Sequence, residues 1–251
     1  MAEPLLRIEG LTKRFGGLIA CDGISLDIGP GEVHAVIGPN GAGKTTLVAQ
    51  LGGGLRPEEG RVTFDGQDIT RATPEDRSRL GIARSFQITS VFTGFSALDN
   101  VALAVQAHAG HSFRFWRPVA GDATLEDPAR AALERIGLAD RAGDPAGDLS
   151  HGERRQLELA MALVTEPRLL LLDEPTAGMG REDSDRMIAL LEGLKGERAM
   201  LLVEHDMDAV FALADRITVM TYGKVIATDT PAAIRENEAV RAAYLGTDEA
   251  A

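Results

Sequence analysis

Gly38-Pro-Asn40-Gly41-Ala-Gly43-Lys44-Thr45 has the spacing G-x-x-x-x-G-K-[ST], which suits a chain that must cradle phosphate. The glycines let backbone N–H groups turn inward around phosphate oxygens, and a helix opening at Lys44 adds its favourable dipole end. In such a loop Lys44 reaches the β- and γ-phosphates of a nucleoside triphosphate, and the Thr45 hydroxyl holds Mg²⁺. Farther along, Leu169-Leu-Leu-Leu172 runs into Asp173 and Glu174. Asp173 suits a contact to Mg²⁺, and Glu174 suits polarising a water for attack on a γ-phosphate. Taken alone, the same pair also describes two solvated acids at a strand end. His205 follows the strand pattern Met200–Glu204, where a single histidine is more often structural or solvent-facing than catalytic. Leu149-Ser150-His151-Gly152-Glu153 opens a helical pattern and admits two readings. Ser150 with Glu153 forms a capping box, and the same helix start, with a hydroxyl and a glycine amide, can bind phosphate.

The elements that must position these groups are legible as periodic runs. Strand patterns cover Leu5–Ile8, Ile24–Ile28, Val33–Ile37, Arg61–Phe64, Leu169–Leu172, Met200–Glu204, Arg216–Met220 and Lys224–Ala227. Helical patterns cover Lys44–Leu51, Ala97–Ala107, Pro128–Ile136, Glu153–Val164, Glu182–Leu194 and Met207–Leu213. The early strands with glycine-rich turns predict an antiparallel patch, and the later strand–helix alternation predicts a parallel sheet. Residues 88–150 show helices without a convincing strand, as a helical lobe inserted into an α/β body would. The phosphate loop, Asp173/Glu174 and His205 each lie just past the carboxyl end of an expected strand. Ligands of open α/β sheets sit at that edge, so one nucleotide can touch all three.

Composition narrows the classes. The chain has 251 residues and is 44% hydrophobic, enough for a core, but only 4% aromatic, so aliphatic residues must fill that core. A net charge of −12 argues against nucleic acid as a partner, whose binding surface would be basic. Cys21, the single cysteine, cannot form an internal disulfide and is expected to be a small buried hydrophobe. The start Met-Ala-Glu-Pro lacks the charge and apolar stretch of a signal peptide, and no apolar run approaches the roughly 18–20 residues of a membrane span. The expectation is a cytoplasmic protein, with any membrane role exercised through a partner. The residues from Thr247 onward are expected to form a frayed tail.

Over residues 5 to 246 the order of these motifs resembles the ABC ATPase family. The resemblance implies a P-loop NTPase fold of the ABC-cassette type: a parallel core sheet, an N-terminal antiparallel β patch and an inserted helical lobe. Residues 1–87 and 151–251 would form the ATP-binding core and residues 88–150 the signature lobe. Residues 38–45 match the Walker A loop, so Gly38, Asn40, Gly41, Gly43, Lys44, Thr45 and the adjoining Thr46 are the implied nucleotide contacts. By resemblance Phe15 stacks on adenine, although ordinary core packing is equally open to it. Gln87 matches the Q-loop glutamine that contacts Mg²⁺ and the attacking water, Asp173 and Glu174 match Walker B, and His205 matches the switch histidine. Residues 149–153 match the signature, with Ser150 and Gly152 kept while His151 and Glu153 replace its middle Gly and final Gln. Gly180 stands in the D-loop where an acidic residue or Asn is usual.

The family pairs two cassettes head to tail with each ATP between one Walker A and the other's signature. The implied partners are therefore a second cassette and membrane-embedded transporter subunits, with the chain peripheral on the inner face of the membrane. The stretch His111-Ser-Phe113-Arg-Phe115-Trp116-Arg117 has the composition of an interface hot spot for such a subunit, and local packing of its rings is the other reading. Phe15-Gly-Gly-Leu-Ile-Ala20, Val203-Glu-His-Asp-Met207 and Ala243-Tyr-Leu-Gly246 look most like branched-chain amino-acid importer ATPases. Lipopolysaccharide-export ATPases, urea and amide importers and cofactor-assembly cassettes are the alternatives.

Overall fold

A computed structural model describes residues 3–84, 91–109 and 122–245. The first two strands, β1 (Leu6–Phe15) and β2 (Leu18–Ile28), pair antiparallel around a two-residue turn, Gly16-Gly17. With β4 (Glu59–Phe64) and β5 (Gln67–Asp68) they make a four-stranded sheet in the order β2-β1-β4-β5. The second sheet contains β3 (Val33–Ile37), β6 (Ile82–Arg84), β7 (Leu169–Asp173), β8 (Ala199–Val203), β9 (Arg216–Thr221) and β10 (Lys224–Asp229). Its order is β10-β9-β3-β8-β7-β6, parallel throughout except that β10 turns back on β9. Strands β3, β7 and β8 are buried at every position, as expected of parallel strands covered on both faces.

Nine α-helices lie among the described residues: α1 (Lys44–Leu51), α2 (Pro74–Arg79), α3 (Ala97–His108), α4 (Ala123–Arg135), α5 (His151–Leu163), α6 (Arg181–Glu192), α7 (Met207–Leu213), α8 (Pro231–Glu236) and α9 (Glu238–Leu245). Residues of α3 and α4 such as Val101, Ala129 and Leu133 share one buried cluster with Leu157 and Ala160 of α5 and with Leu170 and Leu172 of β7. The opposite face of the sheet is sealed by Leu47, Val48 and Leu51 of α1, together with the four-stranded sheet. Cys21 is fully buried there, and burial pushes its thiol up to about 11.

Several boundaries differ from those expected. Strands β1 and β2 extend over ten and eleven residues, because Gly10 and Gly23 sit at bulged positions that interrupt the apolar alternation without ending the ladder. Helix α4 begins at Ala123 rather than Pro128: Asp122 caps it, accepting from Thr124 N–H, and the proline falls inside the helix. Helix α5 begins at His151, and β8 ends at Val203, leaving Glu204 outside the strand. Helices α2, α8 and α9 and strands β5 and β6 lie outside the expected elements.

Arg77 in α2 is 1% exposed, and its guanidinium donates to the carbonyls of Gln50, Leu51, Ile69 and Ala72. It therefore closes the carboxyl end of α1, the helix that begins at the phosphate loop. Burial pushes the guanidinium down to about 10. Arg77→Met would leave these carbonyls unpaired in the interior. We expect it to lower the unfolding free energy by about 2–3 kcal/mol in urea titrations, whereas an unchanged midpoint would contradict this role.

Candidate functional site

The phosphate loop leaves the central strand β3 and is pressed closely by its neighbours. A Cβ on Gly38 would lie 2.1 Å from the Met220 carbonyl oxygen, and one on Gly43 would lie 2.0 Å from that of Ala20. Gly43 also has φ 100°, a conformation that glycine adopts without strain. Lys44 is only 6% exposed; its ammonium donates to Gly38 O at 2.6 Å and Pro39 O at 3.1 Å, across the span of the loop. Burial holds the ammonium below its usual range, opposed by the charges of Glu174 and Asp173. Thr45 is exposed and Thr46 half-buried at the start of α1.

The acidic pair is placed by sheet order. Val203 of β8 lies opposite Val36 of β3 on one side and Asp173 of β7 on the other, so the three carboxyl ends are neighbours. Asp173 is fully buried; its Oδ2 lies 3.4 Å from an Arg84 Nη2, and its Oδ1 has no hydrogen-bond partner. Burial pushes the Asp173 carboxyl above the usual aspartate range; Arg84 opposes that shift and Glu174 adds to it. A buried, unsatisfied carboxylate oxygen fits the oxygen-only preference of Mg²⁺.

The direction of this shift has a consequence without any ligand. A raised carboxyl keeps its proton in the folded chain after the unfolded chain has lost it. The stability it contributes is complete below the ordinary aspartate range and is lost as pH rises through the raised native value. Asp173→Asn is expected to remove that slope and to raise the melting temperature of the nucleotide-free chain at neutral pH. A lower melting temperature in the variant would contradict the assignment.

Glu174 adopts φ 53°, a left-handed conformation that costs a non-glycine residue energy and is characteristic of functional turns. Its N–H donates to Val203 O at 2.8 Å, and its Oε1 lies 2.6 Å from His205 Nε2. One open cleft is lined by Phe15, Asn40, Gly41, Gly43, Lys44, Thr45, Thr46, Glu174 and His205. Gly38 and Asp173 are buried behind this lining. Phe15 is 46% exposed at the cleft's edge rather than packed in the core, with the Lys13 ammonium 5.5 Å from its ring centroid.

Ser150 and Gly152 do not line this cleft. Ser150 forms the expected capping box: its Oγ accepts from Glu153 N–H at 3.1 Å and its N–H donates to Glu153 at 2.7 Å. Gly152 faces Asp183 of α6 so closely that a Cβ would lie 2.6 Å from that carboxyl. Gln87, the segment from His111 to Arg117 and the tail from Thr247 lie outside the described residues. Sequence reasoning missed Arg84, Leu18 and Ala20, which pair with Asp173 or line the cleft, and Glu204 and Thr176, which link the turns beyond it. The hairpin residues follow from the Gly16-Gly17 turn beside Phe15; Arg84 belongs to β6, whose described residues are too few to show a pattern.

Comparison with known proteins shows the family of the chain. The family described as ABC transporter matches residues 21–177, and the one described as branched-chain amino acid ATP-binding cassette transporter matches residues 224–250. The chain is 38% identical to the high-affinity branched-chain amino acid transport ATP-binding protein BraF of Pseudomonas aeruginosa, across 98% of this chain and 99% of that protein. LivG of Escherichia coli, a protein of the same description, is also 38% identical with the same coverage. Among solved structures, the ADP conformation of the ATP-binding cassette MJ1267 superposes with a TM-score of 0.85 at 30% identity, covering 98% of this chain and all of that one.

Proposed function

For a chain that belongs to the ABC transporter ATP-binding family, we propose a mechanism in which this cleft hydrolyses MgATP as one half of a cassette dimer. The supporting observation is the 2.6 Å contact between Glu174 and His205 in a cleft shared with Lys44. Backbone N–H groups of Gly41 and Gly43 and the start of α1 bind the phosphates, and Lys44 swings from its two loop carbonyls to the β- and γ-oxygens. Phe15 stacks on the adenine from the cleft's edge. Thr45, Asp173 and Gln87 are the residues that would hold Mg²⁺, which when bound neutralises phosphate charge. Glu174 takes a proton from the attacking water, and His205 orients that carboxylate and then meets the γ-phosphate.

Ser150 and Gly152 act on the nucleotide of a second cassette, which explains why they stand outside their own cleft. Residues 1–87 and 151–251 serve as the ATP-binding core, and residues 88–150 as the lobe that carries motion to the membrane subunits. The chain works as a peripheral subunit on membrane-embedded partners, a reading supported by its similarity to BraF and LivG; among the described residues no helix is long and apolar enough to cross a membrane.

The cargo is a branched-chain or related small amino acid, taken up rather than exported. The support is the full-length similarity to BraF and LivG, together with the match at residues 224–250. Deleting the gene and following labelled leucine into whole cells tests it. Uptake should fall to the background of other carriers; unchanged uptake in a strain with no second system removes the cargo assignment and leaves the ATPase chemistry intact.

A further inference from the structure

We propose that Glu204 is a positioning residue for ATP hydrolysis: its buried carboxylate ties the turn after β7 to the turn after β8 and so sets the approach of Glu174 to His205. The inference rests on the reading of Glu174 as the base. Glu204 is 3% exposed and follows the last residue of β8. One carboxylate oxygen accepts from the Thr176 N–H at 2.9 Å and from the Thr176 hydroxyl. The other accepts from the His205 N–H at 2.9 Å. Thr176, itself 8% exposed, lies two residues beyond Glu174 in a turn continued by Ala177 N–H to Glu174 O and Met179 N–H to Thr176 O.

A carboxyl group is costly to bury without hydrogen bonds, and this one has three, all from neutral donors. Its geometric use is that one planar group fixes two turns at once. The sheet holds the acidic turn only as far as the Glu174 N–H bond to Val203 O. Beyond that bond, the Glu174 and His205 side chains are 20% and 44% exposed, so packing alone does not fix them. The Glu204 bridge supplies the missing constraint on both sides of their 2.6 Å contact.

Two substitutions divide the bridge. Glu204→Gln keeps an acceptor for Thr176 but turns an amide toward the His205 N–H, setting donor against donor. Thr176→Val removes the hydroxyl donor alone and keeps the backbone bond. With the full-length chain, we expect Glu204→Gln to lower kcat for MgATP about tenfold and Thr176→Val about threefold. The KM for ATP and the Kd for a fluorescent ATP analogue should stay close to wild type, while the melting temperature of Glu204→Gln falls by several degrees because two buried donors then face each other. A merely structural role would weaken nucleotide binding together with kcat, and that result overturns the proposal. So does a wild-type kcat in Thr176→Val, which decides the matter if Glu204→Gln fails to fold. Glu174→Gln measured alongside keeps the two ideas apart. Wild-type turnover in that variant removes the base assignment, whereas its loss with unchanged kcat in both bridge variants removes only the bridge.

Discussion

Glu174→Gln should bind MgATP with near wild-type affinity and turn it over about 10²–10³-fold more slowly. Glutamine matches glutamate in size, and the backbone at this position is held by the bond from its N–H to Val203 O, which the substitution does not touch. The amide oxygen can still accept from His205 Nε2. What disappears is an atom able to take a proton from water. Affinity survives because the groups proposed to bind phosphate, Lys44 and the loop amides, stay in place. With the γ-phosphate intact and Ser150 and Gly152 of a second copy on it, the dimer should persist. Gel filtration in MgATP is then expected to show twice the chain's mass for the variant and a monomer without nucleotide. Hydrolysis at the wild-type rate would show that Glu174 is not the base.

How far this site could be read from residues alone depended on how local its determinants are. The phosphate loop, strand β3 and helix α1 fell where expected, because a buried run, a glycine-rich turn and a helix start are all local events. The convergence of Lys44, Glu174 and His205 was also legible, since it follows from strand order in a parallel sheet. Strand β6 was not: its described residues, Ile82–Arg84, are too few to make a pattern, and they pair with β7 far along the chain. Arg84, which ends β6 and pairs with Asp173, was lost with it. Glu204 was hidden in another way, as an apparent end of strand β8, although its carboxylate makes three hydrogen bonds in the turns beyond the sheet.

The departures from the family pattern became intelligible only in three dimensions. His151 packs near the D-loop: a Cβ on Gly178 would lie 3.4 Å from its ring. Gly180 caps α6 without a side-chain bond, and Gly152 rests against Asp183 of the same helix. The start of α5 thus packs against both the turn at Gly178 and the first turn of α6 within one chain. A bulky residue at Gly152 would disturb α6 within its own chain before any partner approached, so Ser150 is the cleaner position for probing contact across a dimer.

Lys44→Ala should weaken ATP binding by about 10²–10⁴-fold, because two charge-assisted hydrogen bonds to phosphate, each contributing roughly 1.5–3 kcal/mol, are lost together. In the nucleotide-free chain the same ammonium donates to Gly38 O and Pro39 O, and burial already holds it below its usual range. Both facts describe a cation kept partly desolvated where the phosphates will arrive, so little water must be stripped from it on binding. The fold should tolerate the loss. Removing a partly desolvated charge offsets the two carbonyls left without their donor, and the melting temperature is expected to move by only a few degrees. The acidic side should respond as well. The Lys44 charge draws the Asp173 carboxyl downward, so its removal shifts Asp173 further above the aspartate range and weakens an Mg²⁺ contact there. Titration with a fluorescent ATP analogue, with and without Mg²⁺, reads both effects. The variant should lose affinity in both conditions and gain less from the metal than wild type does. Affinity within threefold of wild type would mean that the glycine-rich loop alone holds the phosphates and that Lys44 serves only to brace it.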